Sequence, residues 1–157
     1  MKTLSFETKA QVFSKEELKR SNPVYAALAD EALATAASAY APYSGFQVGA
    51  VALLEDKILV YGNNQENAAY PSGLCAERVT LFSANARHPD KSVEVLAIAA
   101  LHKGVQTESV SPCGACRQVM FETETRFRHP MKLLLCGKEE IVLIESAAAL
   151  LPLSFQL

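Results

Sequence analysis

No segment of this chain approaches the roughly 18 consecutive apolar residues that a membrane-crossing helix needs. Its opening, MKTLSFETKA, has no apolar stretch of the signal-peptide kind. Basic residues are not in excess: 15 Lys and Arg stand against 17 Asp and Glu, a formal net charge of −2. That balance excludes the basic footprint of a nucleic-acid binder. Internal repeats and low-complexity tracts are absent. Histidine is scarce, and His88, His102 and His129 all fall in polar stretches that read as loops, away from any ligand pattern. The expected setting is the cytoplasm, where thiols stay reduced. There, four cysteines read as metal ligands or catalytic groups before disulfides.

What is present is 157 residues, 50% hydrophobic and 20% charged, enough for one ordinary domain with a packed core. Alternating Leu4, Phe6, Thr8, Ala10 and Val12 predict a strand. SKEELKRSN predicts a short helix or linker. PVYAALADEALATAASAYA (23–41) predicts a helix opened by Pro23, apolar on more than one face and therefore well buried, with a subunit contact as one place for the second face. QVGAVALLEDKILVYGNN reads as two strands, and QENAAYPSG as a polar loop before a helix from about Leu74 to Asn85. VEVLAIAAL (93–101) is an apolar run of the interior-strand type. SPCGACRQVMFETET predicts a second helix capped by Ser111, with Pro112 at its first position. MKLLLCG and EIVLIE add two strands, and SAAALLP a short helix. Alternating strands and helices predict an α/β fold, a three-layer α-β-α sandwich around a mixed sheet of about five strands, with an extra N-terminal strand.

Residues 72–80, SGLCAERVT, crowd a thiol, a carboxylate and a guanidinium into a helix start, where Ser, Asp or Pro would serve structure alone. Cys113 and Cys116 of PCGAC form an i, i+3 pair at another helix start. Helix N-termini favour thiolates, and three thiolates suit zinc. Cys136, in the apolar LLLCGK, reads as a small buried hydrophobe rather than a fourth ligand. Three protein ligands with the fourth position left to water is how a catalytic zinc site is built. Glu77 lies about 200° around a helix from Cys75, off the ligand face. It can still point beside the open position and shuttle protons; its plainer role would be to complement the helix dipole. Three thiolates and one Zn²⁺ sum to −1, a charge that Arg78 could tune unless it is a solvated surface arginine.

CAER followed by PCGACRQV resembles the small, homo-oligomeric, zinc-dependent cytidine deaminases, in the three-cysteine version of their metal motif. YSGFQVGA, NNQENAAYPSGLCAER and LLPLSF resemble family segments too, so the likeness runs from about Val24 to Phe155. It implies an N-terminal extension over 1–20 and a single deaminase-like domain over 21–157. It implies one Zn²⁺ per subunit on Cys75, Cys113 and Cys116, with Glu77 as proton shuttle. Asn64 and Glu66 would bond the ribose 3′-hydroxyl, Phe46 would wall the pocket, and the backbone near Ala76 would read the pyrimidine edge. Tyr70 and Phe155 would reach in from neighbouring subunits of a homotetramer with shared active sites. From the residues alone, Phe46 could equally be core, Asn64 and Glu66 a solvated turn, and Phe155 a frayed tail. The implied activity is hydrolytic deamination of cytidine and 2′-deoxycytidine, a step of pyrimidine salvage on a small nucleoside, with no nucleic-acid or membrane partner. Glu66 speaks against a phosphate near the sugar, hence against nucleotides. A deaminase of a cytosine-nucleoside antibiotic and a non-catalytic zinc module using Cys136 are the alternatives.

Overall fold

Residues 93–101 are apolar at nearly every position, so both faces of the strand they form must be covered. The computed structural model, which describes residues 1–157, does this with helices on either side of a seven-stranded mixed sheet. In chain order the elements are β1 (Gln11–Ser14), α1 (Lys15–Ser21), α2 (Pro23–Ala36), β2 (Phe46–Leu54), β3 (Leu59–Asn63), α3 (Ala76–Arg87), β4 (Val93–His102), β5 (Val105–Gln106), α4 (Gly114–Phe127), β6 (Lys132–Cys136) and β7 (Glu140–Ile144). A last 3₁₀ turn covers Ala147–Leu150. The strand order is β1-β7-β6-β4-β2-β3, with β5 beside β4. Only β4 and β6 run parallel; every other pair is antiparallel. No helix is long and apolar enough to cross a membrane.

Side-chain alternation splits each central strand between two cores. Leu96 and Ile98 of β4 and Leu133 and Leu135 of β6 meet Leu81 of α3 and Met120 of α4. Their sequence neighbours Val95, Ala97 and Leu134 face the other way and meet Leu18 of α1 and Leu28 and Ala32 of α2. The predicted three-layer architecture stands, but the sheet has seven strands, not about five. One unforeseen strand is β5, only two residues long. It forms because Lys103 and Gly104 both adopt positive φ (52° and 79°), the backbone that a two-residue hairpin turn needs.

The extra N-terminal strand is present, but at Gln11–Ser14 rather than over Leu4–Val12. Alternation without a partner strand makes no ladder: the four residues of β1 take up Leu143 to Glu140 of β7, and the exposed residues before them pair with nothing in the sheet. SKEELKRSN is a helix, started by a reciprocal cap. Glu17 N–H donates to Ser14 Oγ at 3.2 Å, and Ser14 N–H donates to Glu17 Oε2 at 2.8 Å. α1 then inserts Leu18, 1% exposed, into the α2-side core, a burial worth about 2 kcal/mol. α2 stops at Ala36 instead of reaching residue 41, because Tyr40 is drawn off to pair with the loop after β3.

α2 lies unusually close to β2. A methyl on Gly49 would stand 2.2 Å from the Ala32 carbonyl oxygen and 2.3 Å from the Ala36 nitrogen, both backbone atoms that cannot swing away. Gly49→Ala is therefore expected to cost about 1–3 kcal/mol by forcing α2 off the sheet. The measurement is the urea midpoint at unchanged slope; a midpoint equal to that of the parent protein would mean that α2 can retreat freely.

Candidate metal centre and cleft

Cys75 is the N-cap residue of α3 and Cys113 the N-cap residue of α4, and neither helix has a side-chain cap bond. An N-cap side chain normally turns toward the third helical residue. In α4 that residue is Cys116, and its Sγ lies 3.5 Å from Cys113 Sγ. In α3 it is Arg78, whose Nη2 donates to Cys75 Sγ at 3.6 Å. The two helix starts abut, with Cys75 Sγ 3.9 Å from Cys113 Sγ. All three sulfurs fall within 4.8 Å of one another. One cap differs from expectation. α4 is capped by Cys113, not Ser111, and Pro112 stays outside the helix, its carbonyl accepting from Arg117 Nε at 2.8 Å.

The electrostatics fit a cation. The Cys75 thiol is brought down to about 5, first by a hydrogen bond from the Cys116 thiol and then by Arg78. Cys116, the proton donor in that pair and buried, is pushed far upward. Within this pair Cys75 thus ionises readily while Cys116 keeps its proton. A divalent ion is what would displace the remaining thiol protons, and three sulfurs at two positive helix ends match zinc. Glu77, 5% exposed, stands outside the three-sulfur set. Burial, more than the charge of Cys75, raises its carboxyl above the ordinary range. Arg78 Nε is buried with no partner, and the guanidinium is held from its Nη2 by the Cys75 sulfur.

Cys136 is on the wrong side of the sheet. Its side chain belongs to the α2-side core, and its Sγ donates to the Leu134 carbonyl at 3.4 Å. Burial pushes that thiol up to about 12. A four-cysteine structural site is therefore ruled out by the alternation of β6. None of the three histidines joins the cluster either. His102, expected in a loop, ends β4 opposite Phe46.

Beside the metal centre opens a cleft of about 480 Å³, lined among others by Tyr43, Asn64, Glu66, Tyr70, Cys75 and Arg78. Its wall is the polar loop after β3, pinched at its ends by paired backbone bonds between Gln65 and Leu74. Leu74 precedes Cys75, so closing this loop sets Glu66 and Tyr70 next to the metal ligands. Asn64 Oδ1 accepts from Val48 N–H at 2.7 Å and its Nδ2 donates to the Phe46 carbonyl at 2.9 Å. Glu66 accepts from Tyr43 N–H at 2.8 Å and from the Ser44 hydroxyl, which hold its carboxyl below the usual range. Phe46 is not among the lining residues; its ring tilts against His102, centroids 6.2 Å apart. Ala76 is fully buried at the start of α3. Tyr70 is 78% exposed, and Phe155, 67% exposed, lies along α4 near Glu122 and Thr125, away from the cleft of its own chain.

Sequence reasoning missed Tyr43 and Ser44, hidden in what read only as a turn, and Arg117, whose place in PCGACR gave no hint of what it holds. It also missed Glu124, a buried carboxylate that accepts from Met131 N–H at 2.7 Å and Ala147 N–H at 2.9 Å.

Cys136→Ser is expected to leave one equivalent of zinc per chain, whereas Cys113→Ser should lower zinc content sharply. Metal analysis after gel filtration checks both, and loss of metal from the Cys136 variant would overturn the three-sulfur assignment.

A family model described as the cytidine and deoxycytidylate deaminase zinc-binding region matches residues 24–128. The cytidine deaminase of Halalkalibacterium halodurans is 45% identical over 95 residues, which are 60% of this chain and 68% of the relative. That of Mycobacterium tuberculosis is 40% identical over 110 residues, 67% of this chain and 77% of the relative. Among solved structures, the cytidine deaminase of Burkholderia pseudomallei superposes with a TM-score of 0.69 at 38% identity, covering 82% of this chain and 97% of that one. The chain thus belongs to the cytidine and deoxycytidylate deaminase family.

Proposed function

We infer that this chain is a zinc-dependent hydrolase that removes the exocyclic amine of cytidine and 2′-deoxycytidine as ammonia, leaving uridine and 2′-deoxyuridine. The observation that carries this reading is the buried Glu77 carboxyl beside three converging thiols. Zinc held by Cys75, Cys113 and Cys116 would supply Lewis acidity toward a water at its fourth position. Glu77 would take a proton from the attacking water and hand it to ring N3 of cytosine, which opens C4 to the hydroxide left behind. The same carboxyl would then take the proton of the new C4 hydroxyl and pass it to the amine, so that the C4–N bond breaks, ammonia leaves and the C4 carbonyl forms. A carboxyl raised above its ordinary range by burial holds a proton more readily between these steps. Arg78 offsets the charge of the sulfurs through its bond to Cys75.

The cleft supports a nucleoside rather than a nucleotide. Glu66 is kept ionised by Ser44 and Tyr43, so a negative acceptor faces the sugar, and a phosphate there would be repelled. Asn64 and Glu66 bond the ribose 3′-hydroxyl in this reading. Their existing bonds to the 43–48 backbone leave lone pairs for it, while the Phe46 ring, expected as a pocket wall, packs against His102 outside the cleft lining. The first turn of α3, at Ala76, reads the pyrimidine edge. Phe155 completes the site of a neighbouring copy in a homotetramer, a role favoured by its exposure and by its place along α4, outside its own cleft; Tyr70, expected to do the same, lines the cleft of its own chain. A reducing cytoplasm keeps the three thiols free for metal.

Ammonia release on incubation with cytidine is the direct test, with cytidine monophosphate as the substrate expected to fail. Glu77→Gln should keep zinc and fold while turnover drops at least about 10²–10⁴-fold, since an amide cannot carry the proton. Turnover near the parental rate would remove Glu77 from the mechanism.

Shared sites have their own signature. Phe155→Ala and Glu77→Gln proteins, each impaired alone, should regain activity when subunits are exchanged, because some sites then combine an intact Glu77 with a neighbour's Phe155. Base stacking is worth about 1–3 kcal/mol, so the Phe155→Ala defect should appear mainly as weaker cytidine binding. Proven exchange without recovery would leave Phe155 serving its own chain or none.

A further inference from the structure

The C-terminal segment is laid along α4 by three side chains of that helix. Glu124 accepts from Ser146 Oγ at 3.1 Å and from the Ala147 and Ala148 N–H groups, both at 2.9 Å. Arg117 Nη1 donates to the Leu150 carbonyl at 3.1 Å, and Gln118 Nε2 to the Phe155 carbonyl at 3.1 Å. Arg117 alone also grips the metal centre, through Nε to the Pro112 carbonyl at 2.8 Å. Pro112 directly precedes Cys113, and the peptide between them is planar, so fixing that carbonyl fixes the backbone nitrogen of Cys113.

Cys113 is the sulfur that most needs such help. It is exposed, whereas Cys116 is buried and Cys75 is half-buried against the core. It also has no cap bond to orient it. We propose that Arg117 is a positioning residue that couples the metal loop to the C-terminal segment: one rigid guanidinium holds Cys113 in ligating position only while the segment is docked, and holds the segment docked only while Cys113 is in position. Arginine suits the task because its planar fork presents several donors at fixed angles, enough for two carbonyls from separate segments. Lysine offers a single ammonium that cannot lie in line with both. Coupling of this kind is reciprocal: whatever factor the docked segment adds to metal retention, bound metal adds to docking of the segment. The segment delivers Phe155, so a chain without metal would also present that ring poorly.

The inference rests on the three sulfurs holding zinc, and its test separates the two. Zinc release from full-length protein to an excess of chelator is timed for the parent, Arg117→Met and Arg117→Lys. Hydrogen exchange is followed at amides 149–157 with and without zinc, with β4 amides as the reference for global opening. Arg117→Met should lose zinc about 10–100-fold faster, the usual effect of removing a group that orients a ligand. In the parent, segment protection relative to β4 should fall on zinc removal; in Arg117→Met it should be low with or without zinc. Arg117→Lys, keeping one contact, should fall between them. A merely structural arginine would lower segment protection without abolishing its response to zinc, which overturns the coupling, as does zinc release at the parental rate. If Arg117→Met does not fold, parental behaviour of Arg117→Lys in both measurements overturns it equally. A parent protein that binds zinc while its segment ignores the metal refutes the coupling alone; a parent that takes up no zinc refutes the metal centre and the coupling together.

Discussion

Two helices begin at one point in this protein, and each forgoes its side-chain cap there. An Asn, Asp or Ser cap is worth about 1 kcal/mol, so the paired cysteines cost on the order of 2 kcal/mol in helix stability. Bringing two positive helix ends together adds a repulsion that only negative charge relieves. The thiolate at Cys75 meets part of that need, and Arg78 beside it keeps the ionised form favoured. Against these small terms, binding of zinc by a full set of protein ligands is worth about 10–16 kcal/mol in small domains. The metal term exceeds the rest several-fold, so the local sequence is explained by ligation and not by helix formation. The neighbouring positions follow from the same geometry: the third residue of α3 is an arginine on sulfur, the third of α4 is itself a sulfur, and the second of α3 turns Glu77 into the interior.

The sheet settles which cysteines can take part. Period-two alternation sends Leu133 and Leu135 to the α3/α4 side and Leu134 and Cys136 to the α2 side. A thiol on the far side of a sheet has no path to the metal, whatever its affinity. The same alternation gives Cys136 its other properties, since complete burial among aliphatic groups disfavours the thiolate. The choice between a closed structural site and an open catalytic one was thus made by a strand, remote from either metal-binding helix.

The long elements were legible in the sequence because period and composition agree with burial. β4 is apolar at nearly every position and is covered on both faces, while α2 opens on Pro23, and Asn22 caps it. The metal residues were legible because cysteine has no structural reason to stand at two helix starts. The rest was hidden for identifiable reasons. β5 depends on the backbone at Lys103 and Gly104, a turn two residues long that composition scarcely marks. The alternation of Leu4 to Val12 looked like a strand, yet a strand exists only where a partner edge is free, and β7 offers that edge to residues 11–14. The capping pair Ser14 and Glu17 was readable at its spacing of three and passed unnoticed among charges. Arg117 and Glu124 could not be read at all, since their partners are mostly backbone atoms, 5 and 33 positions from Arg117 and 7, 23 and 24 from Glu124, and no side-chain pattern records a carbonyl or an amide.

The site divides its work by burial. Glu77 and Cys116 are sealed by the chain itself, where exclusion of water raises the carboxyl and strengthens every nearby charge. The part proposed to meet the sugar is an open wall of short polar loop, with Tyr43 and Tyr70 edge to face at 6.4 Å and both exposed. A hydrolytic site gains from this division. Water is the co-substrate and must enter, so the chain cannot enclose the cleft permanently; a nucleoside must also leave as a slightly different nucleoside, so the cover has to be removable. Aromatic rings carried on flexible ends meet both demands, because stacking shields a base with a few kcal/mol and is released without breaking the core. On the proposed coupling, a cover carried by the segment that Arg117 holds would make the wall of one site depend on the metal loop of the copy that lends the ring. The sheet then has one task at the site, which is to hold the starts of α3 and α4 together through the core they share.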